Sequence, residues 1–302
     1  MSIVSETIEK LDAEETKALV KTPKRASVEI KNGFAILDKY FRVPEGTYKI
    51  LKRNIEKQQN TMLIGVTGAG KTELVAALGA TMGLPVTIFD MGTMVDPVMG
   101  LVGTHAIKIK EGNTHSAFIR SRFSQAIQRP GIIAMDELSR AGAQSNNLLF
   151  PVLDFRKELS MEYAFDNTAP VKVHPKCVFI ATANMGSQYT GTHKLDKALI
   201  DRFMMIEIDP LEKAQIIDIV HHHYPKLSTA KRDKIVDVYL AINKEHDDYK
   251  ISFNMSLRHL KMISALVTDG FSIYDSFYAI CKGIGSKEGL KSLEAILKTT
   301  KD

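Results

Sequence analysis

Residues 65–72 read Gly65-Val66-Thr67-Gly68-Ala69-Gly70-Lys71-Thr72, meeting GxxxxGK[ST] at every fixed position. The chemistry this spacing supports is a grip on a triphosphate. Glycines let the backbone turn tightly enough for successive N–H groups to face phosphate oxygens, and a following helix adds the positive end of its dipole. Lys71 would reach the β- and γ-phosphates, and the Thr72 hydroxyl would complete a Mg²⁺ shell. Residues 65–72 are thus the expected site for a nucleoside triphosphate with Mg²⁺.

Three further groups extend that chemistry. The run Ile132-Ile-Ala-Met-Asp136-Glu137 is an apolar strand ending in two carboxylates. Asp136 would hold Mg²⁺ through water, and Glu137 would orient and deprotonate the attacking water. A second apolar run, Val178-Phe-Ile-Ala-Thr-Ala-Asn184, ends in an amide. Placed between the phosphate loop and the acidic strand, Asn184 could hold the water and sense the γ-phosphate. Two arginines complete the set. Arg202, in Leu199-Ile-Asp-Arg-Phe203, closes a helix and could point across a subunit boundary at a neighbour's γ-phosphate, or pair with Asp201. Arg258 opens a helix with Ser256 and Leu257 and could fold back over the nucleotide.

These residues need a scaffold, and the hydrophobic pattern describes one. Strands are expected at 61–64, 86–91, 132–135, 178–182 and 204–208, with helices at 46–58, 71–82, 119–129 and 144–155. Such alternation implies an α/β fold with a mainly parallel sheet sandwiched by helices. Two β-hairpins, 106–118 and 159–173, look inserted; each is expected to be a surface contact device, too small to join the core. After Asp209-Pro210 the pattern turns helical, at 212–223, 228–245, 256–268 and 273–280. The expected division is an N-terminal arm at 1–28, an α/β nucleotide-binding domain at 29–209 and a small helical lid domain at 210–302.

Composition excludes more than it identifies. Among 302 residues, 44% are hydrophobic and 25% charged, as in ordinary globular proteins. No apolar run is long enough to span a bilayer. The acidic N-terminus lacks the apolar core of a secretory signal, so a cytoplasmic protein is expected. The two cysteines, Cys177 and Cys281, read as packing residues in a reduced compartment. A formal charge of +5 does not decide for or against nucleic acid. Asn243-Lys-Glu-His246 lacks the aspartate of a guanine-reading Asn-Lys-x-Asp and reads as a solvated helix face, so ATP is preferred over GTP. His221-His-His223 reads as a helix end, since consecutive histidines on a helix face different ways.

With these residues in view, the chain resembles an AAA+ ATPase of the MoxR group, particularly its CbbQ/NorQ-like members. The resemblance spans about residues 45–260 and is carried by GVTGAGKT at 65–72, MDELSRA at 135–141, ATANMGSQYTGTHKLDKALIDRF at 181–203 and SLR at 256–258. It implies a P-loop NTPase fold and a homo-oligomeric ring, commonly a hexamer, with sites between subunits. Lys71, Thr72, Asp136, Glu137 and the sensor Asn184 would act in cis, Arg202 in trans, and Arg258 as the second sensor. Arg140 matches an arginine of the family's helix after the acidic strand. Val66-Thr67 and Leu138-Ser139 depart from the commoner loop and post-acidic residues without touching the catalytic set. Such ATPases commonly work with a separate von Willebrand factor A-type partner to remodel a protein client or load it with metal. Three readings remain open: a protein remodeller, a nucleic-acid motor or loader whose first hairpin tracks phosphates with Lys108 and Lys110, and a scaffold that uses ATP only to assemble.

Overall fold

The computed structural model describes residues 33–66, 68–110, 113–164, 169–184, 196–284 and 294–297. The expected N-terminal arm, Thr67 and the segment 185–195 lie outside the described residues, as do the side chains of Lys108 and Lys110.

Helices α1 (Gly33–Phe41) and α2 (Glu45–Glu56) lead into β1 (Thr61–Ile64), the phosphate loop, α3 (Lys71–Thr81) and β2 (Val86–Asp90). A hairpin follows, β3 (Gly103–Lys110) with β4 (Asn113–Arg120), then α4 (Arg122–Ala126), β5 (Gly131–Asp136) and α5 (Ala143–Leu153). A smaller hairpin of β6 (Glu158–Leu159) and β7 (Val171–Lys172) precedes β8 (Cys177–Ala183), α6 (Lys197–Ile200) and β9 (Met204–Glu207). The helices α7 (Lys213–His223), α8 (Thr229–Asp247), α9 (Leu257–Thr268) and α10 (Ile273–Ile284) follow.

Strands β2, β5, β8, β1 and β9 lie in that order in one sheet, all parallel. The central strands explain their own sequences. β8 is buried at every position and β5 at all but its last, so both read as unbroken apolar runs where a one-faced strand would alternate. On one face, Leu74, Val75 and Leu78 of α3 pack with Ile132, Val178 and Ile180. On the other, Leu149, Val152 and Leu153 of α5 meet Ile133, Met135 and Phe179. Helices α7 to α10 bury a separate cluster that includes Ile216, Val236, Leu260 and Phe277. The result is the expected α/β P-loop architecture with two hairpins and C-terminal helices. Cys177 and Cys281 are buried, and burial pushes both thiols up to about 12, as packing residues require.

Two expectations need correcting. The helix expected over 119–129 shrinks to five residues, because Ile119 pairs with Thr104 in the hairpin and Ser121 caps the helix, its Oγ accepting the Ser124 N–H at 3.0 Å. The second hairpin is no mere surface device. Leu159, Met161, Val171 and Val173 are all buried in the core cluster that contains Phe179 and Leu153. A two-residue ladder is too short to stand alone, so this burial is what holds it. Leu159 is fully buried, and Leu159→Ala should cost about 2–5 kcal/mol in chemical denaturation. A cost under about 0.5 kcal/mol would return the hairpin to the surface.

Candidate active site

The sheet order delivers the chemistry. β8 lies between β1 and β5, so the C-terminal ends of three neighbouring strands bring the phosphate loop, Asn184 and the Asp136–Glu137 pair to one edge. Gly68 and Gly70 have φ of 78° and 75°, a left-handed turn that glycine adopts without strain. A Cβ on Gly68 would also lie 2.6 Å from the Cβ of Ser256, so the missing side chain lets the start of α9 sit directly on the loop. A cleft opens between them, faced by Gly70, Lys71, Thr72, Glu137 and Asn184 below and by Arg258 above. Val66 and Ala69 line a second cavity with Leu211, Tyr239 and Met255.

Lys71 opens α3 and is 7% exposed. Its ammonium donates to the carbonyls of Gly65 at 3.0 Å and Val66 at 2.8 Å, and to Asn184 Oδ1 at 2.8 Å. All three ammonium protons are thereby aimed. Burial brings the Lys71 pKa down from 10.5 to about 8, against the opposing pull of Asp136 and Glu137.

One carboxylate oxygen organises the rest. Thr72 Oγ1 donates to Asp136 Oδ1 at 2.6 Å, and Thr182 Oγ1 donates to the same atom. Thr182 in turn accepts the backbone N–H of Glu137 at 3.1 Å. A hydroxyl and a carboxylate oxygen that converge on one point form the hard, all-oxygen pair that Mg²⁺ takes, so Thr72 and Asp136 fit that ion. Glu137 sits at φ 52°, ψ 40°, a left-handed conformation that costs a non-glycine residue about 1–3 kcal/mol. Thr182 pins that backbone. The Glu137 carboxylate lies 3.2 Å from Arg140 Nε, placing Arg140 beside the acid it follows by three residues.

The helix α9 begins with a reciprocal cap: Ser256 N–H donates to His259 Nδ1 at 3.2 Å, and Ser256 Oγ accepts from His259 N–H. That cap aims Arg258 and, one turn on, Lys261 at the cleft, where Lys261 also pairs with Glu73 at 3.5 Å. Burial and then Arg258 lower the His259 pKa.

Arg202 stands apart from the others. Asn60, just before β1, donates to the carbonyls of Arg202 at 3.2 Å and Leu153 at 2.8 Å, fixing Arg202 at the N-terminal ends of β1 and β9. The strands run parallel, so the phosphate loop lies about 13 Å further along the sheet. Arg202 stacks over Phe150 at 4.6 Å and faces Asp154 at 3.6 Å rather than pairing with Asp201. Asp154 itself is held at about 2, first by its hydrogen bond from Arg156.

Several cleft residues are not singled out by the sequence motifs. Thr182 belongs to the Thr-Ala-Asn run and Ser256 to the Ser-Leu-Arg run, and both could have been suspected there; Phe41 and Lys261 reach the cleft from elements distant in sequence. Asn243 is also corrected. It is no solvated side chain but holds the backbone of Met255, accepting its N–H at 2.7 Å and donating to its carbonyl at 3.0 Å. Among the described residues no group of three or more His, Cys, Asp or Glu is placed to hold a metal ion, His221 to His223 included, and no helix is long and apolar enough to cross a membrane.

Residues 60–203 match the family model described as an AAA domain of the dynein-related subfamily. The chain is 28% identical to "Putative chaperone BssE" of Thauera aromatica over 80% of its own length and 82% of that protein's. An uncharacterized protein of Staphylococcus epidermidis is 29% identical over 68% of this chain and 75% of its own. A crystal structure of "a putative ATPase" from Cytophaga hutchinsonii superposes with a TM-score of 0.47 and 16% identity, covering 96% of this chain and 98% of that one.

Proposed function

From residues 60–203 being an AAA domain of the dynein-related subfamily, we propose that this chain hydrolyses Mg²⁺-ATP in a ring of like subunits and spends the energy on remodelling a protein client, together with a separate partner chain. Residues 210–302 act as the lid. One observation carries the hydrolytic part: the Lys71–Asn184 bond and a second hydrogen-bonded chain, Thr72 and Thr182 on Asp136 with the Glu137 N–H on Thr182, line a single cleft. The similarity to a protein named as a chaperone supports a protein client.

The residues divide the work by position. Loop N–H groups and Lys71 hold the β- and γ-phosphates. Thr72 and Asp136 would hold Mg²⁺, which when bound neutralises phosphate charge. Glu137 takes a proton from the attacking water, Asn184 orients that water, and Arg258 covers the phosphates from above. Arg202 cannot serve its own cleft from the far end of β9, so it serves a neighbour's, supplying positive charge as the phosphoryl group departs.

The test mixes two inactive variants. Glu137→Gln lacks a base but keeps its finger; Arg202→Ala lacks the finger but keeps its base. In equal mixture about one interface in four joins an intact cleft to an intact finger, so about a quarter of normal phosphate release should return. No recovery, with both variants still binding ATP, would sink the trans assignment. The same assay with single- and double-stranded DNA at low salt separates client classes: strong stimulation would favour a nucleic-acid motor, and indifference a protein remodeller.

A further inference from the structure

We infer that Asn243 is a positioning residue for the nucleotide cleft, acting through the backbone of Met255 on Ser256 and Arg258; this rests on the reading of the cleft as an ATP site.

The geometry is that of a two-point clamp. Asn243 Oδ1 accepts the Met255 N–H at 2.7 Å while Nδ2 donates to the Met255 carbonyl at 3.0 Å, across a gap of twelve residues. An N–H must meet an oxygen and a carbonyl must meet an N–H, so the amide can sit in only one orientation. No other side chain of that size offers both a donor and an acceptor at that spacing. Aspartate lacks the donor, and leucine lacks both. The Met255 side chain is anchored as well, buried in the same cluster as Ile242 and Leu260.

The residues just after Met255 tie the clamp to the cleft. Ser256 is the cap of α9 and rests on Gly68, and Arg258 reaches the cleft from the first turn of that helix. Asn243, near the end of α8, thus fixes the point from which the lid arginine departs. A drift of Met255 would carry Ser256 off the phosphate loop and swing Arg258 away from the phosphates.

A residue that only stabilised the helical cluster would lower the melting temperature and leave the nucleotide kinetics alone. A positioning residue acts through Arg258 and loses its effect when Arg258 is gone. The experiment is a double-mutant cycle on the full-length chain, reading steady-state ATP turnover, the Kd of a fluorescent ATP analogue with Mg²⁺, and the melting temperature. The variants are Asn243→Ala, Asn243→Asp, Arg258→Ala and the two doubles. Asn243→Asp fills the same volume, so it tests the clamp even where alanine unfolds the lid.

Each single Asn243 variant should raise the ATP KM about tenfold with kcat changed much less, the aspartate at least as strongly because its carboxylate faces the Met255 carbonyl. In the Arg258→Ala background the same substitutions should change KM by less than about twofold. Additive losses overturn the proposal. So does an unchanged KM in folded Asn243 variants, or an Arg258→Ala variant with normal KM and kcat. If wild-type protein neither binds the analogue nor releases phosphate, the ATP reading itself fails, a result distinct from any of these.

Discussion

Glu137→Gln should bind ATP with an affinity within a few-fold of the parent and release phosphate about 10²–10⁴ times more slowly. The substitution is nearly isosteric and removes one property, the capacity to accept a proton. The contacts that hold the residue in place survive the change. Its strained left-handed backbone is pinned by the N–H bond to Thr182 Oγ1, which does not involve the side chain. Its contact with Arg140 can persist through the amide oxygen. The phosphate grip is left intact, because Lys71 bonds to Gly65, Val66 and Asn184 and none of those contacts passes through Glu137. Binding and turnover should therefore separate, as expected for an interaction made only in the transition state. Phosphate release and analogue binding measured on the same preparation decide it. Turnover near the parent rate would remove Glu137 as the base and with it the hydrolytic reading; loss of both binding and turnover would assign it to structure.

How much of this site was legible in the sequence depended on whether its chemistry lay along the chain or across it. The phosphate loop and the acidic pair are contiguous runs whose residue types already state their roles, so Lys71, Thr72, Asp136 and Glu137 could be named directly. The place of Asn184 between them depends on β8 lying between β1 and β5, and the apolar runs mark those strands without ordering them. Thr182 was harder. Its double role depends on β8 lying beside β5 in a register that pairs Met135 with Ala181, and only pairing reveals that. Asn243 looked solvated because its partner is a backbone group, and a sequence carries no mark of which backbone will need one. The burial of the second hairpin is hidden from the sequence for a related reason. Its strands are too short for a period-2 pattern to show, while its burial comes from a sheet face built by residues such as Phe179 and Leu153. Helix α1 carries Phe34, Leu37 and Phe41 at helical spacing, but nothing local says what they pack on. Gly33 packs on Tyr48 and Thr81, and Phe41 reaches the cleft, so the helix is held by surfaces distant from it in sequence.

Lys71→Met should weaken ATP binding at least about 100-fold and abolish a proton uptake that accompanies binding in the parent. The first part follows from geometry. The ammonium is buried with its three protons on acceptors of the loop and of Asn184, so the triphosphate meets a charge already aimed. The second part follows from electrostatics. Burial leaves the Lys71 pKa at about 8 without nucleotide, so near pH 8 about half the molecules carry a neutral amine. A triphosphate beside it favours the charged form and raises the pKa again. Binding should then take up about half a proton at pH 8 and about nine-tenths at pH 9, where ATP itself no longer titrates. Calorimetry in two buffers of different ionisation enthalpy reads this directly. The same shift fixes a sign for stability. A lysine whose folded pKa lies below its unfolded value penalises folding in full below pH 8, and the penalty is relieved as pH rises from about 8 to 10.5, because there the unfolded chain binds more protons. Nucleotide-free parent protein should therefore gain stability relative to Lys71→Met across that window. Uptake below a tenth of a proton at both pH values would mean that Lys71 is already fully charged, and the buried-amine argument would be wrong even if the affinity loss were found.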